Sequence, residues 1–303
     1  MKHSHYRVPA ICLLFILLLA TAASAYLQPS VNLGFTSFLD GAPPAGPGFY
    51  FQEYISYYEA DDLPQLGVPG AEVEAWVSLN QFIYQSNTPL LLGGKWGMNV
   101  IVPVVLLDAD PEPPLSTNDG LGDIVVGPFL QWDPIMGKNG PIFMHRVELQ
   151  MLLPTGKYDK DDPLNPGSNF FSFDPYWAGT YFFTPQWTAS VRAHYLWNDE
   201  NDDPWVGYEA DDFQAGEAFH ANFASSYEVV PKKLRVGING YYFKQLEESD
   251  GIDEGKEKVL AIGPGALLSF SQDTHLFFNA YFESDAEHRP EGERFVLRLV
   301  HHF

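Results

Sequence analysis

Apolar and polar residues alternate at every second position through much of the chain. In the stretch QWTASVRAHYLWN (186–198) one face is apolar: Trp187, Ala189, Val191, Ala193, Tyr195 and Trp197. The other face is mostly polar: Thr188, Ser190, Arg192, His194 and Leu196. A period of two predicts β-strands, and apolar side chains flanked by aromatic ones are typical of a strand that crosses a bilayer. The pattern therefore favours a sheet with lipid on one face and a polar lumen on the other.

The same alternation predicts twelve strands along the chain. They span residues 47–59, 72–85, 89–107, 121–133, 141–153, 170–183, 186–198, 212–230, 233–246, 257–271, 273–285 and 293–303. Long, mostly acidic breaks with Pro or Gly follow the odd-numbered strands, and mostly short breaks such as TP and VPKK follow the even-numbered ones. Even strand number with alternating long and short connections is the pattern of bacterial outer-membrane barrels, whereas a soluble β-sandwich would not order its loops this way. We predict an all-β, antiparallel up-and-down transmembrane barrel whose long loops face outward and whose short turns face the periplasm.

The two ends of the chain predict its compartment. Lys2 and Arg7 precede the apolar run ICLLFILLLATAA, and the small residues 23–25 follow it, which is the pattern of a secretory signal peptide over 1–25. We expect a periplasmic or luminal segment over 26–46 and the barrel over 47–303. The closing strand presents an apolar row that resembles the signal read by the outer-membrane barrel assembly machinery: Phe295, Leu297, Leu299 and Phe303. His301 departs from this pattern. These features predict the outer membrane of a Gram-negative-type bacterium, with its lipids and assembly machinery as partners.

Net charge narrows the choice of partners. The formal charge is −22, which argues against a nucleic-acid partner. The only cysteine, Cys12, lies in the apolar run, so the rest of the chain has no thiol for a disulfide or a metal. No nucleotide-binding glycine motif is visible, and we predict no cofactor.

Most arginines fall on the polar faces of the predicted strands. Placing arginine on a lipid face near the midplane costs about 2–4 kcal/mol, so this segregation is expected from stability alone. We predict that the lumen and any solute path are lined by Arg146, Glu148, Gln150, Arg192, His194, Arg235, Asn239, His275, Asn279 and Arg298. These side chains form either a structural network, in which Arg146 and Arg298 pair with Glu148, Glu74 or Glu283, or a basic constriction that selects anionic or polar-headed solutes. The two readings are compatible.

The sequence gives only weak signals for catalytic or metal-binding groups. His220, Asn222 and Ser225 have the residue types of a hydrolase, but the first two share one strand face and Ser225 lies on the other. The acidic stretch DENDDPW (199–205) has carboxylates for Ca²⁺ but lacks the ligand spacing of a known loop. We therefore predict no catalytic residues and no metal site.

Three stretches in the middle of the chain carry a family resemblance: GLGDIVVGPFLQW (120–132), LPTGKYD (153–159) and NPGSNFFSFDPYWAGTYFF (165–183). They resemble the outer-membrane barrel family named for the meta-pathway of phenol degradation. The resemblance implies a transporter-like barrel and weakly implies uptake of aromatic or hydrophobic compounds, and it supplies no catalytic residues. Physically, the Gly, Asn and Asp residues of these stretches are also explained by turn formation.

These observations lead to one preferred function and three alternatives. We predict a passive outer-membrane channel or transporter for small molecules that has no enzymatic activity. A non-conducting structural or receptor-like barrel remains open, as does, less favoured, a surface enzyme. A soluble periplasmic β-sandwich is the alternative fold.

Overall fold

The computed structural model describes residues 28–41, 46–61, 70–111, 115–252 and 255–303. The predicted signal peptide lies outside the described residues. None of the described residues belongs to a helix that is long and apolar enough to cross a bilayer.

Twelve long antiparallel strands dominate the described residues, several of them built from two pieces. They are β1 (Gly48–Ala60), β2 (Glu72–Leu91), β3 (Gly94–Asp110), β4 (Gly120–Leu121 and Ile124–Gln131), β5 (Gly140–Glu148 and Met151–Leu153), β6 (Ser172–Phe173 and Tyr176–Phe182), β7 (Trp187–Asn198), β8 (Ala218–Val230), β9 (Leu234–Gln245), β10 (Lys258–Ser269), β11 (Thr274–Glu287) and β12 (Gly292–His302). Each strand pairs with the next one along the chain. The existence and order of the twelve predicted strands are confirmed.

The sheet closes on itself because the first and last strands also pair. The β1–β12 ladder runs from Tyr50↔His302 to Ala60↔Gly292. Closure satisfies the backbone hydrogen bonds of both would-be edge strands, which is required of any sheet that spans lipid. The predicted fold class, a twelve-stranded antiparallel barrel, is therefore confirmed.

The chain terminus continues this seam. The Phe303 N–H donates to the Phe49 carbonyl oxygen at 2.9 Å, and the Phe303 ring is exposed on the outer face. Leu297 and Leu299 are also exposed on this face, and Phe295 lies half-buried in the same row. The role of this row as an assembly signal stays a prediction.

Some connections differ from the predicted ones. The β2–β3 turn lies at Leu92 and Gly93, both of which have positive φ, and not at the predicted break over 86–89. The two strands extend past that break, with register shifts around Pro89, and the turn forms where glycine adopts a left-handed backbone at little cost.

Two of the long loops contain paired strand segments. β8 begins at Ala218 rather than at 212, because Phe213–Gln214 pairs with Glu200–Asn201 in a short ribbon inside the loop. β11 extends to Glu287 and β12 starts at Gly292, so only four residues, 288–291, connect the last pair. The last hairpin thus projects farther than the sequence pattern predicted.

The three stretches that carry the family resemblance meet at Asp123 on the long-loop side of the barrel. One oxygen of this buried carboxylate accepts hydrogen bonds from the Thr155 and Gly156 N–H groups at 3.1 and 2.9 Å. The other accepts from the Ser168 N–H and hydroxyl at 2.8 and 2.5 Å. A side chain at Gly156 would place its Cβ 2.7 Å from the Gly167 Cα, so the two backbones touch. We call Asp123, Thr155, Gly156 and Ser168 the Asp123 latch.

The two faces of the barrel wall differ as the alternation predicts. On β7, Thr188, Ser190, Arg192 and His194 are buried in the interior, whereas Trp187, Val191 and Tyr195 are exposed on the outside. Exposed apolar side chains on the outer face of a closed barrel are those that contact lipid.

An N-terminal segment, residues 28–41, occupies the interior. Leu33 packs against side chains of β1, β7, β9 and other strands, and Phe38 packs against residues from β1, β2, β4, β8 and β10 to β12. These two side chains are only 3% and 1% exposed. Because their neighbours come from nearly the whole circumference, the segment lies in the lumen.

Candidate functional site

The N-terminal segment is fixed to the barrel wall by one buried carboxylate. Asp40 accepts hydrogen bonds from Arg192 Nε and Nη2, both at 2.6 Å, and Arg146 Nη2 lies 4.0 Å from its Oδ1. The Arg192 guanidinium also stacks over the Tyr176 ring, 4.1 Å from its centroid. Buried charges require partners, and each of these charges supplies one for the others. We call Asp40, Arg146 and Arg192 the Asp40 girdle.

A chain of hydrogen bonds runs along the inner face of the barrel wall at the level of the Asp40 girdle. The Tyr54 hydroxyl donates to Gln81 Oε1, Gln81 Nε2 to Asn99 Oδ1, and Asn99 Nδ2 to Glu148 Oε1, each at 2.9 Å. The Tyr176 hydroxyl donates to the other Glu148 oxygen at 2.6 Å. These residues, which we call the polar belt, come from β1, β2, β3, β5 and β6. The belt and the Asp40 girdle share their level of the lumen because Arg192 stacks on Tyr176.

The lumen on either side of this level is hollow. A cavity of about 280 Å³, the upper chamber, lies toward the long loops. A second cavity of about 240 Å³, the lower chamber, lies toward the short turns. Tyr54, Gln81 and Arg192 line both chambers, so the girdle and the belt form the boundary between them.

The upper chamber has an apolar wall where a barrel interior is usually polar. The apolar part of its lining from β2 to β5 comprises Val73, Ala75, Val77, Leu79, Ile101, Pro103, Val105, Leu107, Val125 and Leu152. Val31, Leu33 and Phe35 of the N-terminal segment add apolar surface. The middle of β3 is apolar on its inner face as well as its outer face, so its sequence does not alternate between apolar and polar residues.

Three predicted lumen arginines converge, but their anionic partner is not the predicted one. Arg146 and Arg192 belong to the Asp40 girdle, and Arg298 lines the lower chamber with its guanidinium 3.7 Å from the Phe277 ring centroid. The carboxylate between Arg146 and Arg192 comes from Asp40, whereas Glu148 accepts hydrogen bonds in the polar belt. The expected pairing of Arg146 with Glu148, Glu74 or Glu283 is not found among the described ion pairs, where its partner is Asp40.

The remaining predicted residues also lie on the inner face. Arg235 Nη1 donates to the Gln186 carbonyl oxygen at 2.9 Å, and His275 Nδ1 lies 2.8 Å from the Ser269 hydroxyl. Both line the lower chamber, and Gln150 lines the upper one. Asn239 and Asn279 are fully buried beside Phe38, where a Cβ on Gly265 would contact both amide oxygens and the Phe38 ring. The role of these residues in a solute path stays a prediction.

His194 belongs to a buried cluster that the sequence pattern did not reveal. Its Nδ1 lies 3.0 Å from Asp174 Oδ2, and His220 Nε2 lies 3.0 Å from Asp174 Oδ1. The two imidazole rings stack with centroids 4.1 Å apart, and all three side chains are at most 1% exposed. The residues come from three neighbouring strands or their ends, so no local spacing marks them. Register alone could have placed His194 opposite His220.

The three residues of hydrolase type, His220, Asn222 and Ser225, do not lie on one face of the barrel wall. His220 and Asn222 face the lumen, and Ser225 is exposed outside, where its hydroxyl accepts from Trp187 Nε1 at 3.0 Å. In the acidic stretch 199–205, Asp203 pairs with Lys160 at 2.7 Å. Among the described residues, this stretch contributes no group of three carboxylates or imidazoles close enough to hold one metal ion.

Comparisons with known proteins identify the family of this chain and a solved structure with its fold. Residues 58–299 match the family described as "Putative MetA-pathway of phenol degradation". A solved outer membrane channel from Pseudomonas putida is similar with a TM-score of 0.76 and 17% identity, covering 90% of this chain and 100% of that one. The beta domain of the Bordetella autotransporter BrkA is similar with a TM-score of 0.48 and 11% identity, covering 85% and 100% of the two chains. No curated protein matches the chain.

Proposed function

Because the chain belongs to this MetA-pathway phenol-degradation family, we propose that it is an outer-membrane channel for small molecules with an apolar body. The exposed apolar side chains on the outer face, the closed barrel and the family support a location in the outer membrane. The observation that carries the proposal is the pair of chambers on one axis, which meet at the Asp40 girdle.

The size and lining of the upper chamber support an aromatic or similarly apolar solute. An apolar cavity of about 150 Å³ holds benzene, so 280 Å³ accommodates a one-ring compound with substituents. The apolar wall contributes burial of ring surface, and Gln81, Asn99 and Arg192 offer hydrogen-bond donors at the chamber floor. A phenolic or carboxylic group would therefore point toward the girdle.

Passage from the upper to the lower chamber requires the girdle to open. The segment that carries Asp40 is anchored through this carboxylate and through the Gly41 backbone, whose N–H donates to Thr180 Oγ1 at 2.9 Å. Loss of the Asp40 contacts would allow residues 38–41 to move aside while the wall stays closed. The resting protein is then a narrow or shut pore, and solute entry depends on displacement of this segment.

A non-conducting barrel is the second candidate, and the same segment favours it. Leu33, Phe38 and Asp40 are buried as completely as core residues of a soluble domain. If the segment never leaves, the protein is a filled barrel whose chambers bind a ligand without passing it on.

Liposome swelling with Asp40→Ala separates the two candidates. We expect wild-type protein to admit small solutes slowly and Asp40→Ala to admit them several-fold faster, because Arg146 and Arg192 lose the anion that holds the segment. Asp133→Ala is the matched control, since Asp133 forms an exposed ion pair with Lys95 on the short-turn side. Equal rates for all three proteins, each verified as a heat-modifiable barrel, would favour the non-conducting barrel.

Calorimetry tests the solute class independently of conduction. We expect detergent-solubilised protein to bind benzoate or a substituted phenol, and Ile101→Asn in the upper chamber to weaken binding by about tenfold, since a polar group replaces apolar lining. Ile83→Asn places the same change in the lower chamber and should leave affinity unchanged. Equal loss in both variants would contradict the assignment of the upper chamber as the aromatic site.

A further inference from the structure

We propose that Asp174, His194 and His220 form a binding site for one divalent transition-metal ion, with Zn²⁺ as the best fit. One nitrogen of each ring and one oxygen of the carboxylate lie within 4.8 Å of one another. The inference does not depend on whether the barrel conducts.

The arrangement needs little movement to accept a metal. Each facing nitrogen is already 3.0 Å from a carboxylate oxygen. Ligand atoms about 2.0–2.2 Å from a tetrahedral Zn²⁺ are spaced about 3.2–3.6 Å apart. A modest rotation of the stacked rings toward a common point would bring the two nitrogens to this spacing.

The donor set has the chemistry that zinc selects. Two imidazoles and one carboxylate form a three-residue set of the kind that binds Zn²⁺ and leaves a fourth position for water. Asp174 lines the upper chamber, which offers water and an entry path to that position. The chain provides no thiol here, so the site would favour Zn²⁺, Cu²⁺, Ni²⁺ or Co²⁺ over soft monovalent ions.

Proton positions are also compatible with coordination. A neutral imidazole coordinates through its unprotonated nitrogen, so each ring proton must move to the outward nitrogen. His194 Nε2 and His220 Nδ1 have no hydrogen-bond partner among the described residues. The shift therefore breaks no existing hydrogen bond other than the two to Asp174, which the metal replaces.

The surrounding charges do not oppose a dication. The Arg192 and Arg146 side chains, the cations at this level of the lumen, are paired with Asp40 at 2.6 and 4.0 Å. The Arg192 guanidinium is held by Asp40 through two hydrogen bonds rather than by Asp174. The Asp174 carboxylate is thus available to the metal.

Zinc titration of the purified, chelator-treated full-length barrel tests the proposal. We expect one equivalent of Zn²⁺ to bind the wild type and affinity to fall at least about tenfold in His194→Gln and in His220→Gln. His145→Gln is the matched control, because His145 stacks on Trp132 outside the cluster, and its affinity should equal that of the wild type. Zinc binding that is unchanged in the His194→Gln/His220→Gln double variant would overturn the site.

A spectroscopic measurement on the wild type covers the case in which these variants do not fold. Cu²⁺ added at one equivalent should give an electron paramagnetic resonance spectrum with superhyperfine splitting from two imidazole nitrogens. A spectrum with oxygen ligands alone would mean that the metal sits on exposed loop carboxylates, and the proposal would fail.

Discussion

At the scale of single residues, the polar belt depends on a glycine that lets a charged side chain cross a strand. Glu148 extends from β5 over β4 to reach Asn99 on β3, and it passes directly above Gly127. A Cβ at position 127 would lie 2.1 Å from Glu148 Oε1, which no real structure tolerates. Gly127 is thus required for packing rather than for its backbone angle.

We expect Gly127→Ala to lower the free energy of unfolding by about 2 kcal/mol, because Glu148 must leave its place between Asn99 and Tyr176. In a Glu148→Ala background the added methyl group meets no carboxylate, so the same change should cost at least about 0.5 kcal/mol less. Urea unfolding of the four proteins in a double-mutant cycle measures both values. Equal costs in the two backgrounds would show that the strain lies elsewhere.

At the scale of elements, the Asp123 latch joins three segments that are far apart in sequence. Asp123 precedes the second piece of β4, Thr155 and Gly156 follow β5, and Ser168 precedes β6. Four hydrogen bonds to one carboxylate hold the long β5–β6 loop against the rim. The family-like stretches therefore share a structural role, which agrees with the turn explanation and adds a carboxylate to it.

Asp123→Ala should destabilise the barrel by about 2 kcal/mol, because the Thr155, Gly156 and Ser168 N–H groups lose an anionic acceptor at a part-buried site. Asp202→Ala, an exposed change in the neighbouring long loop, should stay within about 0.5 kcal/mol. The midpoint of urea unfolding reports both, and proteolysis confined to 154–171 would localise the loss. Identical midpoints for the two variants would show that the Asp123 latch does not contribute to stability.

At the scale of the whole molecule, the alternating connections define two ends of the barrel. The long connections, which include 154–171 and 199–217, lie at one end, and the short turns, such as 183–186 and 231–233, lie at the other. In outer-membrane barrels the long loops face the outside. The upper chamber would then open to the medium and the lower chamber to the periplasm.

Cysteine labelling of intact cells tests this orientation without background, since Cys12 is the only natural cysteine and lies in the predicted signal peptide. Asp211→Cys in a long loop should react with a membrane-impermeant maleimide. Lys138→Cys in a short turn should react only after the outer membrane is permeabilised. The reverse pattern would invert the topology and the direction of the solute path.

The sequence by itself determined the barrel and the orientation of its side chains. A strand turns every second residue to the same side, so the alternation on β7 is enough to assign Arg192 and His194 to the interior and Trp187 and Tyr195 to the outside. Twelve such segments with ordered connections then leave few folds other than a closed membrane barrel. Turn positions were less accurate, as at Leu92–Gly93, because strands can continue through a proline where the register shifts.

Only the tertiary structure decided which interior residues meet. Asp40 lies 152 positions from Arg192, and Asp174 lies 20 and 46 positions from His194 and His220. These groups are brought together by strand register and by the return of the N-terminal segment into the lumen, neither of which leaves a local pattern in the chain. The alternation of a strand specifies a face, but a site requires the depth of each side chain in the closed barrel, and that depth depends on how all twelve strands are staggered.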